Sequence, residues 1–177
     1  MIDPGDGQGA MANYLRPSRP LDARDAAAAL IVVDGSHYLM QQRDDRADIY
    51  YPGYWGLFGG AVDEGESPIE ALRREIKEEI DLDPGEARYF TRFDFDMSGV
   101  GRRWLYRVFY VIELRRQDLL RLRLREGKSM KLFEPGPLLG AEKVVPYDAF
   151  ALWLHAHRLQ LDPRLDQAGR RDHGPGL

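Results

Sequence analysis

The chain has 177 residues, 44% hydrophobic and 31% charged, which suits one domain with a substantial core. A net charge of -4 excludes a broad cationic surface for nucleic acid or anionic lipid. With no cysteine, disulfides, thiolate nucleophiles and zinc–thiolate sites are excluded.

Residues 1–20 are rich in Gly, Pro and Asp and lack an apolar signal core. The pairs Arg16-Pro17 and Arg19-Pro20 favour extended backbone, so this segment is expected to be a flexible arm. Ala26 to Val33 is the longest apolar run; it is far too short to cross a bilayer, and a cytoplasmic protein is the default. It reads as a strand, Asp34-Gly35 as a hairpin turn, and His37 to Arg43 as a second strand. Tyr54 to Phe58 is a short apolar segment that delivers the chain to Gly59-Gly60. Ser67-Pro68-Ile69-Glu70 reads as a capping box with proline at the first helical position. Ile69, Leu72, Ile76 and Ile80 form the buried stripe of that helix, and Pro84-Gly85 stops it.

Arg88 to Met97 and Trp104 to Leu114 read as a long aromatic-rich hairpin joined by Ser98-Gly99-Val100-Gly101. Leu119 to Arg125 alternates Leu with Arg, as either a short edge strand or a loop. Leu132-Phe133 is expected as a short strand before the Pro135-Gly136-Pro137 break. A second helix is predicted over Tyr147 to Leu159, with Phe150, Trp153 and Leu154 facing inward. Beyond about Pro163 a frayed tail is expected, giving an arm over 1–20, a domain over 21–162 and a tail over 163–177. Strands and helices intermix, so the class is α/β or α+β.

The first helix carries Glu75, Glu78 and Glu79 at i, i+3 and i+4, which puts three carboxylates on one face. Like charges at that spacing cost a helix roughly 0.2–0.5 kcal/mol per pair, and the helix dipole disfavours anions near its C-terminal end. A hard divalent cation with oxygen ligands is the natural offset. The same stretch is also what an ordinary solvated amphipathic helix looks like; Gly59-Gly60 and Glu66, set at fixed distances ahead of it, are what such a helix does not need.

From Gly60 to Leu82 the chain resembles the Nudix box, G-x5-E-x7-R-E-U-x-E-E-x-G-U with U a large aliphatic residue. Gly60, Glu66, Arg74, Glu75, Ile76, Glu78, Glu79 and Leu82 all fall in place. Asp81 stands where the family usually has Gly, and Asp visits the left-handed region more readily than most residues. The resemblance implies a Nudix α/β/α sandwich with a mixed sheet between helices. It implies a pyrophosphohydrolase that cleaves the diphosphate linkage of a nucleoside diphosphate derivative, of the nucleoside triphosphate or nucleotide-sugar type, with Mg²⁺ or Mn²⁺. The alternative is a catalytically silent Nudix-fold module that senses a ligand.

By the same resemblance, Glu79 is the first metal ligand, with Glu75 and Glu78 beside it. Arg74 fixes a glutamate rotamer, against the simpler reading of a surface arginine paired with Glu70 or Glu78. Glu66 either binds a further metal through water or holds the loop. A carbonyl of Gly59 or Gly60 is a further ligand, since glycine lets a cation approach the main chain. Glu126, in Glu126-Gly127, resembles the metal-linked or base residue on the loop after the box, with Asp94, Asp96 and Glu113 as rivals. Arg43 resembles the arginine that meets substrate phosphates, and Trp55 stacks on a base or belongs to the core. A small nucleotide is the expected partner, membrane and nucleic acid are not, and a homodimer is left open.

Overall fold

The computed structural model describes residues 24–46, 48–96, 104–136 and 143–162; the expected arm, the tail and the 98–101 turn lie outside the described residues. In chain order the strands are β1 (Ala26–Val33), β2 (His37–Gln42), β3 (Trp55–Gly56), β4 (Phe58–Ala61), β5 (Arg88–Asp96), β6 (Trp104–Leu114) and β7 (Ser129–Phe133). The helices are α1 (Pro68–Ile80), α2 (Pro146–Ala156) and the short α3 (Arg158–Leu161).

Every residue of β1 is buried, as an unbroken apolar run demands of a strand covered on both faces. Its whole length pairs in parallel with β6, from Ala26 opposite Arg107 to Val33 opposite Leu114. On its other edge β2 holds only Ile31–Val33, after which the hairpin splays. The segment from Trp55 to Ala61 fills the gap: β3 pairs with the end of β2, and β4 pairs with Ala26–Ala29. β7 lies on the far edge of β2, and β5 runs antiparallel to β6. The sheet is thus mixed and seven-stranded.

α1 covers one face with Leu72, Ile76 and Ile80, packed with Ile31, Leu39 and Phe58. α2 covers the other with Ala151 and Leu152, packed with Leu30, Met40 and Phe109. The α/β/α sandwich with a mixed sheet is the observed architecture. Among the described residues no helix is long and apolar enough to cross a membrane.

Three expectations need correction. The second helix breaks at His157, and its inward face is Asp148, Ala151, Leu152 and His155. Phe150 and Trp153 are instead 52% and 39% exposed, and Leu154 is only partly buried. Counting apolar residues misplaced the face because two of its four buried positions are polar and have buried partners. The Leu–Arg stretch forms no strand: Arg116–Arg121 is a 3₁₀ helix, with Asp118 accepting from the Arg115 N–H at 3.0 Å. The backbone that follows donates to the C-terminal carbonyls of α1, Arg123 to Ile80 at 3.1 Å and Arg125 to Glu79 at 2.8 Å. β2 ends at Gln42, and Arg43 begins the loop.

Candidate active site

α1 starts where the capping box places it. The Ser67 N–H and hydroxyl both donate to Glu70, at 2.9 and 2.5 Å. It ends at Asp81, which adopts the left-handed conformation (φ 56°, ψ 28°) usually given to glycine. The carboxylate of Asp81 has a further use. It accepts from Lys77 at 2.8 Å and from Arg125 at 2.7 Å, fastening the 123–128 loop to the end of the helix.

The three glutamates of the helix are not equivalent. Glu79 is buried, 7% exposed. Its Oε1 accepts from the Gln41 amide at 2.5 Å and its Oε2 from the Gly59 N–H at 2.8 Å. Burial, with Glu75 and Glu126 nearby, pushes its pKa up to about 7, against the pull of those two donors. Glu75 is raised as well, by burial first, with Arg74 opposing and Glu78 and Glu126 adding to the rise. Glu78 is half exposed and reaches only Arg74, at 3.4 Å.

Arg74 organises the other acidic groups. It grips Glu66 with two bonds of 3.0 and 2.9 Å, donates to Glu75 at 2.7 Å, and donates to the Ala61 carbonyl at 3.0 Å. No bond to Glu70 is formed, since Glu70 is occupied by Ser67. Glu66 thereby ties the loop before α1 to its middle, and it also accepts from the Asp63 N–H at 3.2 Å.

The two glycines answer to different constraints. Gly59 has φ +125°, and a Cβ there would collide with the backbone of Ala27 and Ala28 in β1. A Cβ on Gly60 would overlap the Glu75 carboxylate. The chain after β3 is therefore pressed between β1 and the acidic face of α1.

Glu126 comes from the loop between the 3₁₀ helix Arg116–Arg121 and β7. That loop is held by the Arg125 bond to Glu79 and by Lys128 donating to the Gln42 carbonyl at 2.8 Å. The exposed Glu126 carboxylate is close enough to raise both Glu75 and Glu79. Its rivals stand elsewhere: Asp94 is paired with Arg92 and Glu113 with Arg88, on the β5–β6 hairpin.

Arg43 donates through Nε to the Tyr50 carbonyl at 2.9 Å, and its charge is felt by Asp148 and Tyr147 on the α2 side of the sheet. Trp55 packs edge-on against Phe133, 4.8 Å between centroids, in the core under α2. Glu79, Glu75 and Glu126 are thus brought together, while Arg43 and Trp55 lie toward the opposite face.

Among the described residues no three of His, Asp and Glu form a ready-made metal cluster, and Glu79 and Glu75 are engaged with protein donors. The donor set nonetheless fits a hard cation. It is all oxygen, its members raise one another's pKa, and Glu79 has two neutral donors and no cation of its own.

Two features escape a reading of the sequence. Gln41 lies two positions after the buried Leu39 on the α1-facing side of β2, where alternation calls for an apolar residue; that misplaced polarity is a signal. Asp148 is 1% exposed, accepts from the Leu57 N–H at 3.0 Å, and lies 3.3 Å from the Arg107 guanidinium. In sequence it is only an acid in a first helical turn.

A model of the NUDIX domain family matches residues 23–164. Nucleoside triphosphatase NudI from Escherichia coli (strain SE11) and from Shigella flexneri are each 47% identical over 57 residues, 32% of this chain and 39% of theirs. The matched stretch therefore spans well under half the length of those curated relatives. A MutT NUDIX hydrolase from Burkholderia pseudomallei superposes with a TM-score of 0.60 at 24% identity, covering 73% of this chain and 95% of that one. The NUDIX domain of Shewanella oneidensis NrtR, complexed with ADP ribose, gives 0.61 at 20% identity, covering 84% and 97%. These likenesses show the fold, and the family match extends from before β1 to past α3: the chain belongs to the NUDIX family.

Proposed function

We propose that the chain is a metal-dependent pyrophosphohydrolase that cleaves the diphosphate linkage of a nucleoside diphosphate derivative, of the nucleoside triphosphate or nucleotide-sugar type. The observation that carries this reading is the buried Glu79 carboxylate, oriented by two neutral donors beside Glu75 and Glu126. The curated relatives are named nucleoside triphosphatases, and the NrtR domain holds ADP ribose, a sugar-linked diphosphate, which supports the substrate class.

Mg²⁺, with Mn²⁺ as a substitute, would be held by Glu75, Glu78 and Glu79, with a Gly59 or Gly60 carbonyl and Glu126 as further donors. When bound, the ion neutralises phosphate oxygens and lowers the pKa of water. The protein's own part is positioning. Arg74 fixes Glu75 and, through Glu66, the loop before the helix. Glu126 sits on a loop anchored at both sides and takes the proton of the attacking water. Arg43 and Trp55 lie toward the opposite face of the sheet, so neither is given a part at the acidic centre.

Proton release over a panel of nucleotides with Mg²⁺, with and without chelator, tests the reading. Turnover is expected only with metal, and Glu79→Gln should lower it by orders of magnitude. Full turnover in Glu79→Gln with metal still bound would sink the assignment. Glu126→Gln should cut kcat about 10²–10⁴-fold with little change in KM, the usual range for a general base. Near wild-type turnover there would move the base to Glu75.

A further inference from the structure

Gln41 bonds to Glu79 and lies against Gly127, the residue after Glu126. It is 4% exposed, and its backbone is fixed on both edges, opposite Gly56 of β3 and Met130 of β7. A carboxylate can only accept, so the amide nitrogen is the end that faces Glu79, at 2.5 Å. The same nitrogen lies 3.5 Å from the Leu57 carbonyl. The amide oxygen fills the space against Gly127, where a Cβ would come within 2.7 Å of it. Gly127 has φ +83° and directly follows Glu126. A side chain at 127 would press on the Gln41 amide and the Gln42 carbonyl, so glycine there lets the Glu126 loop lie against Gln41.

Leu57 is held from the opposite side of the sheet too, its N–H donating to Asp148. That peptide enters β4 and leads to Gly59, the second donor to Glu79. One residue thus links the Glu79 carboxylate, the strand that delivers Gly59, and the Glu126 loop.

We infer that Gln41 is a positioning residue that sets the orientation of the Glu79 carboxylate for a divalent cation and seats the Glu126 loop beside it. The inference rests on the pyrophosphohydrolase reading. Its chemical logic lies in the charge. Lys or Arg at this place would neutralise Glu79 and compete with a cation, as Arg74 already does at Glu75. A primary amide fixes the rotamer with one hydrogen bond and leaves the full negative charge to the ion. The remaining lone pairs on both Glu79 oxygens stay available, because each has one donor.

The test is Gln41→Met, which keeps length and burial and removes the donor and the acceptor. Mn²⁺ affinity, read calorimetrically without nucleotide, is expected to fall about 10–100-fold, the usual loss when a partner of a metal ligand is removed. At saturating metal kcat should fall by a similar factor while KM for nucleotide stays within about twofold. A residue needed only for packing would lower the melting temperature and leave Mn²⁺ affinity and kcat intact, and that result overturns the inference. If Gln41→Met does not fold, the wild-type protein decides. Its Gln41 side-chain amide signals should shift during a Mg²⁺ titration with the midpoint of metal binding; signals that stay still while metal binds overturn the inference. A wild-type protein that neither binds Mn²⁺ nor turns over nucleotide brings down the functional reading and the inference together. A wild-type protein that does both, with Gln41→Met its equal, brings down the inference alone.

Discussion

His155 is held neutral by its surroundings. It is 5% exposed, its Nδ1 shares a hydrogen bond of 2.8 Å with the Tyr38 hydroxyl, and the Phe90 ring meets it edge-on. Burial first, then the charges of Arg158 and Arg88, lower its pKa from 6.5 to about 4. The unfolded chain therefore takes up a proton near pH 6.5 that the folded chain refuses until about pH 4. Stability is present above pH 6.5 and is lost as pH falls across that window, by about 3 kcal/mol at the acid end. Urea unfolding at pH 7.5, 6, 5 and 4 checks this against His155→Gln, in which the carboxylate contributions cancel but the histidine one is gone. Parallel pH profiles for the two proteins would show that the imidazole is not protected. Neither His155 nor the Arg107–Asp148 pair was legible in the sequence as a buried group, because one-letter polarity argues for the surface and only the partner's position argues against it. Glu75, Glu78 and Glu79 were legible through their spacing. That spacing hid the division of labour among them, since helical phase puts all three on one face and only β2 and β4 decide which is buried.

At the scale of the element, α1 was the most readable part of the chain. Its start, its stripe and its end are local matters: Ser67 and Glu70, Leu72, Ile76 and Ile80, then Asp81. Ser67→Ala should cost about 0.5–2 kcal/mol, the usual loss of a cap residue, with metal affinity nearly unchanged. A thermal melt and a metal titration on that variant check both halves, and an unchanged melting temperature would mean that Pro68 alone sets the start. Asp81 is a trade of one device for another. The chain accepts a left-handed non-glycine residue and gains a carboxylate that holds Lys77 and Arg125. α2 was less readable for the opposite reason. Its inward face is defined by tertiary partners, Leu57 and Arg107 for Asp148 and Tyr38 for His155, which lie far away in sequence.

At the scale of the molecule, the mixed sheet followed from the hairpins and the family resemblance, while its central detail did not. Nothing local to β1 says that β2 leaves it after three residues and that β3 and β4 enter the gap. That follows from Gly59 crossing over Ala27 and Ala28, a long-range fit. The same arrangement has a consequence for how the chain is made. The parallel partner of β1 is synthesised roughly eighty residues after it, so a nascent chain must carry Ala-Ala-Ala-Ala-Leu-Ile-Val-Val with one edge open until β6 emerges. This strand is apolar throughout, without a charge or a proline inside it. Vectorial synthesis thus leaves this apolar strand with one edge open until Trp104–Leu114 arrives, an interval set by nothing near the acidic centre, and the far edge of β2 waits longer still, for Ser129–Phe133.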